Sequence, residues 1–319
     1  MRSSRALRGG AALLLAACAA ASPARAEQAA SGFAVERFYP SAPGGGWLVM
    51  DDLSMRGPLG GAVALSGGYA RDPLRVATTG GAGRLAVVGH QAFADVGVAL
   101  TWERLRLSAN LTSPLAVAGR DGVAGGYQLT APSFDVGNHP DTLSDVRLGA
   151  EVRLLGDADA PLRVGLGAQL FVPSGDRADY VTDATYRGMV RALLAGQAGG
   201  VAWAGHLGVH LRPLDDGPAP GSPRGSELLF GFAAGPRLAL GPRDGLVIGP
   251  ELFGESVLSA PFGSSTTGVE AMLTARYERV SGNGAPLRVK LGAGGGLHAE
   301  LGAPEWRAVV AVETSGTAR

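Results

Sequence analysis

The chain has 319 residues; 46% are hydrophobic, only 18% are charged, and the formal net charge is zero. That balance offers no basic surface for nucleic acid. No stretch approaches the roughly 18–20 consecutive apolar residues of a helical membrane span, and a single cysteine, Cys18, excludes an internal disulfide.

The N-terminus has the three parts of a secretory signal peptide over residues 1–26. Arg2, Arg5 and Arg8 give a positive start, Ala11 to Ala21 a short apolar stretch, and Ala24-Arg25-Ala26 a small-x-small cleavage site that leaves Glu27 as the first mature residue. Leu15-Ala16-Ala17-Cys18 offers a second reading, a lipobox with lipidation at Cys18. Cleavage after Ala26 is preferred, because the apolar stretch before Cys18 is short and a well-formed site follows it. The mature chain then has no cysteine for catalysis or metal binding. Residues 27–58 are irregular, with Phe33 to Pro40, a glycine run, then Trp47 to Asp51. Three placements stay open for them: a periplasmic lead-in, an extra short strand, or a segment tucked into a barrel.

From residue 59 to 315 the chain alternates apolar and polar residues in runs of about ten, closed by turns rich in Gly, Pro, Asp or Arg. A period of two is the strand period, since successive side chains point to opposite faces. Twelve strands are predicted, at 60–71, 85–101, 105–117, 145–155, 162–173, 187–197, 201–212, 227–240, 245–258, 268–280, 286–299 and 304–314. In 162–173, Leu162, Val164, Leu166, Ala168, Leu170 and Val172 oppose Arg163, Gly165, Gly167 and Gln169. The connections alternate in length. Those at 103–104, 156–161, 197–200, 241–244 and 281–285 are short; those at 72–84, 118–144, 174–186, 213–226 and 259–267 are mostly longer. Short turns on the side of both termini, and strands of about 11 residues tilted ~45° across an apolar band of roughly 25 Å, fit an outer-membrane barrel. A soluble sandwich would want more aromatic residues than the 6% present. The expected fold is therefore an all-β transmembrane antiparallel β-barrel of about 12 strands, within about 10–14. Its aromatic girdle members are Tyr69, Trp102, Trp203, Phe230, Tyr277 and Trp306.

Val35 to Pro40, Trp47 to Leu53, Gly67 to Leu74, His90-Gln91 and Trp102 to Leu111 resemble the N-terminal barrel of myxobacterial-type OmpA-family outer-membrane proteins. The resemblance implies a barrel but no chemistry. Members often carry a peptidoglycan-binding domain after the barrel. Here the chain reaches Arg319 just after the last strand, so peptidoglycan binding is not carried over.

The polar faces supply candidate lumen residues: Arg106, Arg147, Glu151, Arg153, Arg163, Arg191, His206, His210, Arg212, Arg237, Glu251, Glu255, Glu270, Arg276, Arg288 and Lys290, with Asp95, Glu227 and Glu278 also facing inward. The bland reading pairs them with one another as filling; the sharper one makes a weakly anion-selective passage, since rings of charge set pore selectivity. His206 and His210 share a face about 13 Å apart, too far to hold one ion between them, so no metal or cofactor is expected. His139, with Asp135 and Asp141 in the longest loop, is the only grouping suited to catalysis, and an enzyme is not expected. Gly44 to Gly46 and Gly294 to Gly296 precede no helix, so neither is a phosphate loop. The long 118–144 loop is suited to folding inward as a constriction or to presenting a surface epitope. The sequence thus predicts an outer-membrane location, with lipid and the barrel-assembly machinery as partners, and a passive porin-like channel for small hydrophilic solutes. The alternative is a non-conducting structural barrel of the envelope.

Overall fold

The computed structural model describes residues 28–78, 83–138, 142–217, 219–280, 286–298, 300 and 302–317. The signal peptide with Cys18, the pair His139 and Asp141, and the turn at 281–285 lie outside the described residues.

The barrel wall follows the alternation. In chain order the strands are β1 (Gln28–Ala29), β2 (Gly60–Ala77), β3 (Arg84–Trp102), β4 (Leu105–Ala118), β5 (Gly122–Ala124), β6 (Tyr127–Leu129), β7 (Ser133–Asp135), β8 (Val146–Leu155), β9 (Arg163–Val172), β10 (Arg187–Ala198), β11 (Val201–Leu211), β12 (Glu227–Ala239), β13 (Asp244–Val257), β14 (Thr267–Val280), β15 (Pro286–His298) and β16 (Trp306–Thr317). β2 to β4 and β8 to β16 form a closed antiparallel barrel of twelve strands, with β16 pairing β2 from Trp306↔Arg71 to Thr317↔Gly60. Closure gives every wall strand a partner on both sides, as spanning a bilayer with strands requires. All twelve predicted strands are present. The tight turns are built as the sequence indicates: Gly199 and Gly200, at φ 58° and 80°, close the β10–β11 hairpin between paired Ala198 and Val201. Positive φ at both central residues matches the twist of a two-residue hairpin.

The outer face is continuous hydrocarbon. Val63, Leu65, Val98, Leu107, Leu148, Leu166, Leu194, Leu207, Phe232, Leu273, Leu291 and Val312 are all exposed there. A wall of this kind needs lipid against it. The aromatic residues fall into two belts. Trp102, Trp203 and Tyr277 lie toward the short-turn end, and Tyr69, Phe230 and Trp306 toward the long-loop end, with Tyr69 and Trp306 rings 5.1 Å apart.

Two features go beyond the alternating strand pattern. The first is the long-loop end. β2 and β3 run to 18 and 19 residues, so their hairpin stands above the other strands. The 118–144 loop folds into β5, β6 and β7, and β1 adds to β6 in parallel. Leu74, Val76, Val87, Val88, Val117, Phe134, Tyr180 and Val181 make a separate apolar core in this cap, which also takes Phe33 and Val35.

The second concerns residues 27–58. Of the three placements left open by the sequence, the third holds for most of the described part of this segment, which is tucked into the barrel, while Gln28–Ala29 form the short extra strand β1. The segment enters through the cap, descends the lumen and leaves at the short-turn end, where Arg56 pairs with Asp159 before β2 begins. Trp47, Met50, Leu53 and Met55 are almost wholly buried inside the barrel. The physical reason is size. About eight strands leave an interior that side chains alone fill, and 16–18 leave an aqueous channel. Twelve leave a space that one irregular chain segment occupies. The interior is consequently not uniformly polar. Phe93, Leu193, Val247, Phe253, Met272 and Val309 also point inward and form a core with Phe38, Trp47, Leu48 and Met50.

This path places Gln28 and Arg56 on opposite sides of the membrane. With the short turns in the periplasm, Gln28→Cys should react with a membrane-impermeant maleimide on intact cells. Arg56→Cys should react only after the outer membrane is permeabilised. The reverse pattern would contradict the threading.

Candidate functional site

The lumen segment, residues 33–56, has almost no secondary structure of its own; turns such as Ser41 N–H to Leu48 O and Asp52 N–H to Gly45 O pair some of its backbone groups, and the others need partners on the wall. Glu251 on β13 supplies the central one. Its carboxylate accepts the N–H groups of Leu48 at 2.8 Å, Val49 at 2.9 Å and Met50 at 3.1 Å, and Thr274 Oγ1 donates to it at 2.8 Å. Three consecutive amides converging on one fully buried carboxylate fix the height of the segment. Below them Lys290 Nζ donates to Trp47 O at 3.1 Å and pairs with Glu313 at 2.9 Å. Two wall glycines admit the segment. A Cβ at Gly231 would run into Met50 Cε, and one at Gly292 into Leu48 Cδ1.

Toward the short-turn end the segment's own carboxylates meet wall arginines. Arg106 bridges Asp51 at 2.5 Å and Glu151 at 3.0 Å, and Arg191 reaches Glu151 at 3.6 Å. Arg276 pairs with Asp52 at 3.3 Å. Arg153 donates to the carbonyls of Leu53 and Met55, and Arg163 to that of Asp52. Arg288 joins Glu278 to Glu313. Toward the long-loop end Arg147 donates to Pro40 O at 3.1 Å, and Arg307 holds both Glu270 and Glu36. Arg37 of the segment lies 3.0 Å from Glu255 and 3.5 Å from Glu227. Arg212, just past β11, grips Asp183 through two nitrogens and donates to Ala34 O at 2.8 Å, while Asp183 accepts Ala34 N–H at 2.8 Å. Burial pushes the Asp183 carboxyl up, but Arg212, Arg187 and that N–H outweigh it and hold its pKa at about 2.

The predicted lumen residues therefore face inward, as the alternation required, yet most meet the threaded segment as well as one another. Two stand apart. Arg237 is exposed at the short-turn rim, 3.4 Å from Gln197, and His206 faces a small cavity without a hydrogen bond to its Nδ1. Sequence reading missed Glu36, Arg37, Asp51 and Asp52 on the segment, and Arg187, Arg307 and Glu313 on the wall. The wall residues had a visible signal: Arg307, Val309, Ala311 and Glu313 keep the period of two. The segment residues had only an indirect one, the apolar run Trp47 to Met50 in a stretch with no strand pattern. Asp135 lies in the cap; the grouping it was to make with His139 and Asp141 falls outside the described residues.

Among the described residues, the larger lumen cavity is at one end. A cavity of about 350 Å³ opens at the short-turn rim and reaches Trp47, lined by Arg56, Arg106, Arg163, Arg237, Arg276 and Arg288 among others. The cavities deeper in the barrel hold only about 30 and 50 Å³.

No protein-family model and no curated protein matches the chain. Solved structures match its fold. An outer membrane channel from Pseudomonas putida F1 is 13% identical over 82% of this chain and 96% of its own, with a TM-score of 0.50. The NanC porin is 8% identical over 80% and 100%, TM-score 0.46, and the translocator domain of the autotransporter NalP from Neisseria meningitidis is 11% identical over 83% and 90%, TM-score 0.44. The fold is that of outer-membrane β-barrels.

Removing the Glu251 carboxylate strands three buried N–H groups, each costing about 1–3 kcal/mol. Glu251→Ala should therefore lower stability by on the order of 3 kcal/mol or more, read from denaturant unfolding in detergent. Glu251→Gln, which keeps one acceptor oxygen, should cost less. Equal, small losses in both would show that the segment does not depend on this carboxylate.

Proposed function

We propose that the protein is a self-sealed barrel of the outer membrane, non-conducting as folded, with its lumen held shut by its own residues 33–56. The observation that carries this reading is the packing of Trp47, Leu48, Val49 and Met50 against wall side chains while Glu251 takes up their amides. An open porin needs a water-filled lumen. Here the wall's inward Phe93, Phe253, Met272 and Val309 are buried against the segment, a surface that water would not wet favourably. The exposed apolar wall and paired aromatic belts support the membrane location.

A second reading, a passive channel that opens when the segment withdraws, is favoured by one specific feature. The seal rests on ion pairs and hydrogen bonds as well as on apolar contacts, and an arginine-lined vestibule already penetrates to Trp47.

Planar-bilayer recordings test the proposal. The full chain should insert without steady conductance, whereas a chain lacking residues 28–56 should pass small ions. Steady single-channel current from the intact chain would contradict the sealed barrel and support the open channel.

A further inference from the structure

Among the described residues, one buried cluster is left incompletely satisfied by the sealing contacts. Its members come from three neighbouring strands. His210 on β11 pairs directly opposite Glu227 on β12. Glu227 pairs with Val257 on β13, and Glu255 lies two residues from Val257 on the same inward face. His210 and Glu227 are 0% exposed and Glu255 4%. The His210 ring is fixed between Phe171 and Tyr39, with centroids 5.7 and 5.9 Å away.

Five polar atoms here make no well-directed hydrogen bond: both ring nitrogens of His210, Glu227 Oε2 and both oxygens of Glu255, whose Oε2 has the Arg37 Nε ion pair at 3.0 Å. Buried polar atoms are rarely left so, because each costs about 1–3 kcal/mol unpaired. His210 Nδ1 lies 3.5 Å from Glu227 Oε2 and 3.5 Å from Glu255 Oε2. Those separations exceed the roughly 2.7–3.2 Å of a hydrogen bond. They match instead the edge of a tetrahedron around an ion with ligand bonds of about 2.0–2.1 Å, which is about 3.3–3.4 Å. The three ligand atoms all lie within 4.8 Å of one another. A cavity of about 30 Å³ lies beside Glu255 and is lined also by Arg37, Tyr39 and His206.

We propose that His210 Nδ1, Glu227 Oε2 and Glu255 Oε2 form a binding site for one divalent transition-metal ion of the zinc class. One imidazole and two carboxylates suit Zn²⁺ and its spectroscopic substitute Co²⁺, and the site has no thiolate to select a softer ion. The charge balance permits an ion. Glu227, Glu255, Asp183 and Asp145 face Arg37, Arg212 and Arg187, leaving one negative charge in excess with His210 neutral. Arg37, near both glutamates, and Arg212, near Glu227, would orient the carboxylates from outside the coordination shell, as outer partners do in metal sites. Arg37 and Tyr39 belong to the lumen segment, so the site is complete only when that segment is seated. The ion would then tie β11, β12 and β13 together directly beneath the segment's upper end, and its uptake would be coupled to folding.

The test is Co²⁺ binding by the full chain folded in detergent, with heat-modifiable gel mobility as the check on folding. The wild type should bind one Co²⁺ per chain and show the visible d–d bands of a tetrahedral nitrogen–oxygen site, displaced by Zn²⁺. His210→Ala and Glu255→Gln should weaken binding at least about tenfold, while His206→Ala should leave it unchanged. A folded wild type that takes up no stoichiometric Co²⁺, or a His210→Ala variant that binds as tightly with the same bands, would overturn the proposal. Should the variants fail to fold, the wild-type stoichiometry and bands decide alone.

Discussion

Irregular backbone inside a membrane barrel has little water to satisfy it, and the N–H and C=O groups not paired within the segment must find a partner on the wall. That constraint organises this molecule. Glu251 answers it for Leu48, Val49 and Met50; Lys290, Arg153, Arg163 and Arg147 answer it for carbonyls above and below. The inward charges of the wall are thus placed where a single threaded segment has exposed backbone or charges of its own. An empty lumen would give no reason for three successive amides to meet one carboxylate.

The ion pairs set position more than they add net stability. Desolvating a charge costs several kcal/mol, which a good partner roughly offsets. Breaking one side of Arg106–Asp51 or Arg37–Glu255 strands the other in the interior, so a segment shifted by one residue would lose several partners together. Apolar contacts from Trp47, Met50, Leu53 and Met55 supply the non-directional part, at about 1.5–3 kcal/mol for each fully buried side chain. The seal therefore combines a greasy plug with a polar register, and Gly231 and Gly292 leave the room it needs.

The wall was legible in the sequence because its rule is local. Alternation in stretches such as Leu162 to Val172 assigns each side chain to lipid or lumen without knowledge of any neighbour, and turn lengths then separate the two ends. What the lumen holds was not legible, because it depends on register between distant strands. Nothing near His210 in sequence announces Glu255; only the offsets of β11, β12 and β13 bring them to one place. Residues 33–56 were unreadable for a different reason. A segment satisfied by wall side chains needs no period of its own, so Asp51, Asp52 and Arg37 carried no pattern. The clue was chemical: Trp47-Leu48-Val49-Met50 is too apolar for a chain lying in water. The inward Phe93, Phe171 and Phe253 break the polar side of the alternation for the same cause, since they face the segment and not a pore.

Hydrogen–deuterium exchange at the amides of Leu48, Val49 and Met50 reads the central claim directly. In the folded, membrane-mimetic-bound chain these amides should be protected to the same degree as the ladder amides of β13 and β14. Exchange as fast as that of the exposed turns would show that the segment does not occupy the lumen, and would contradict the sealed barrel.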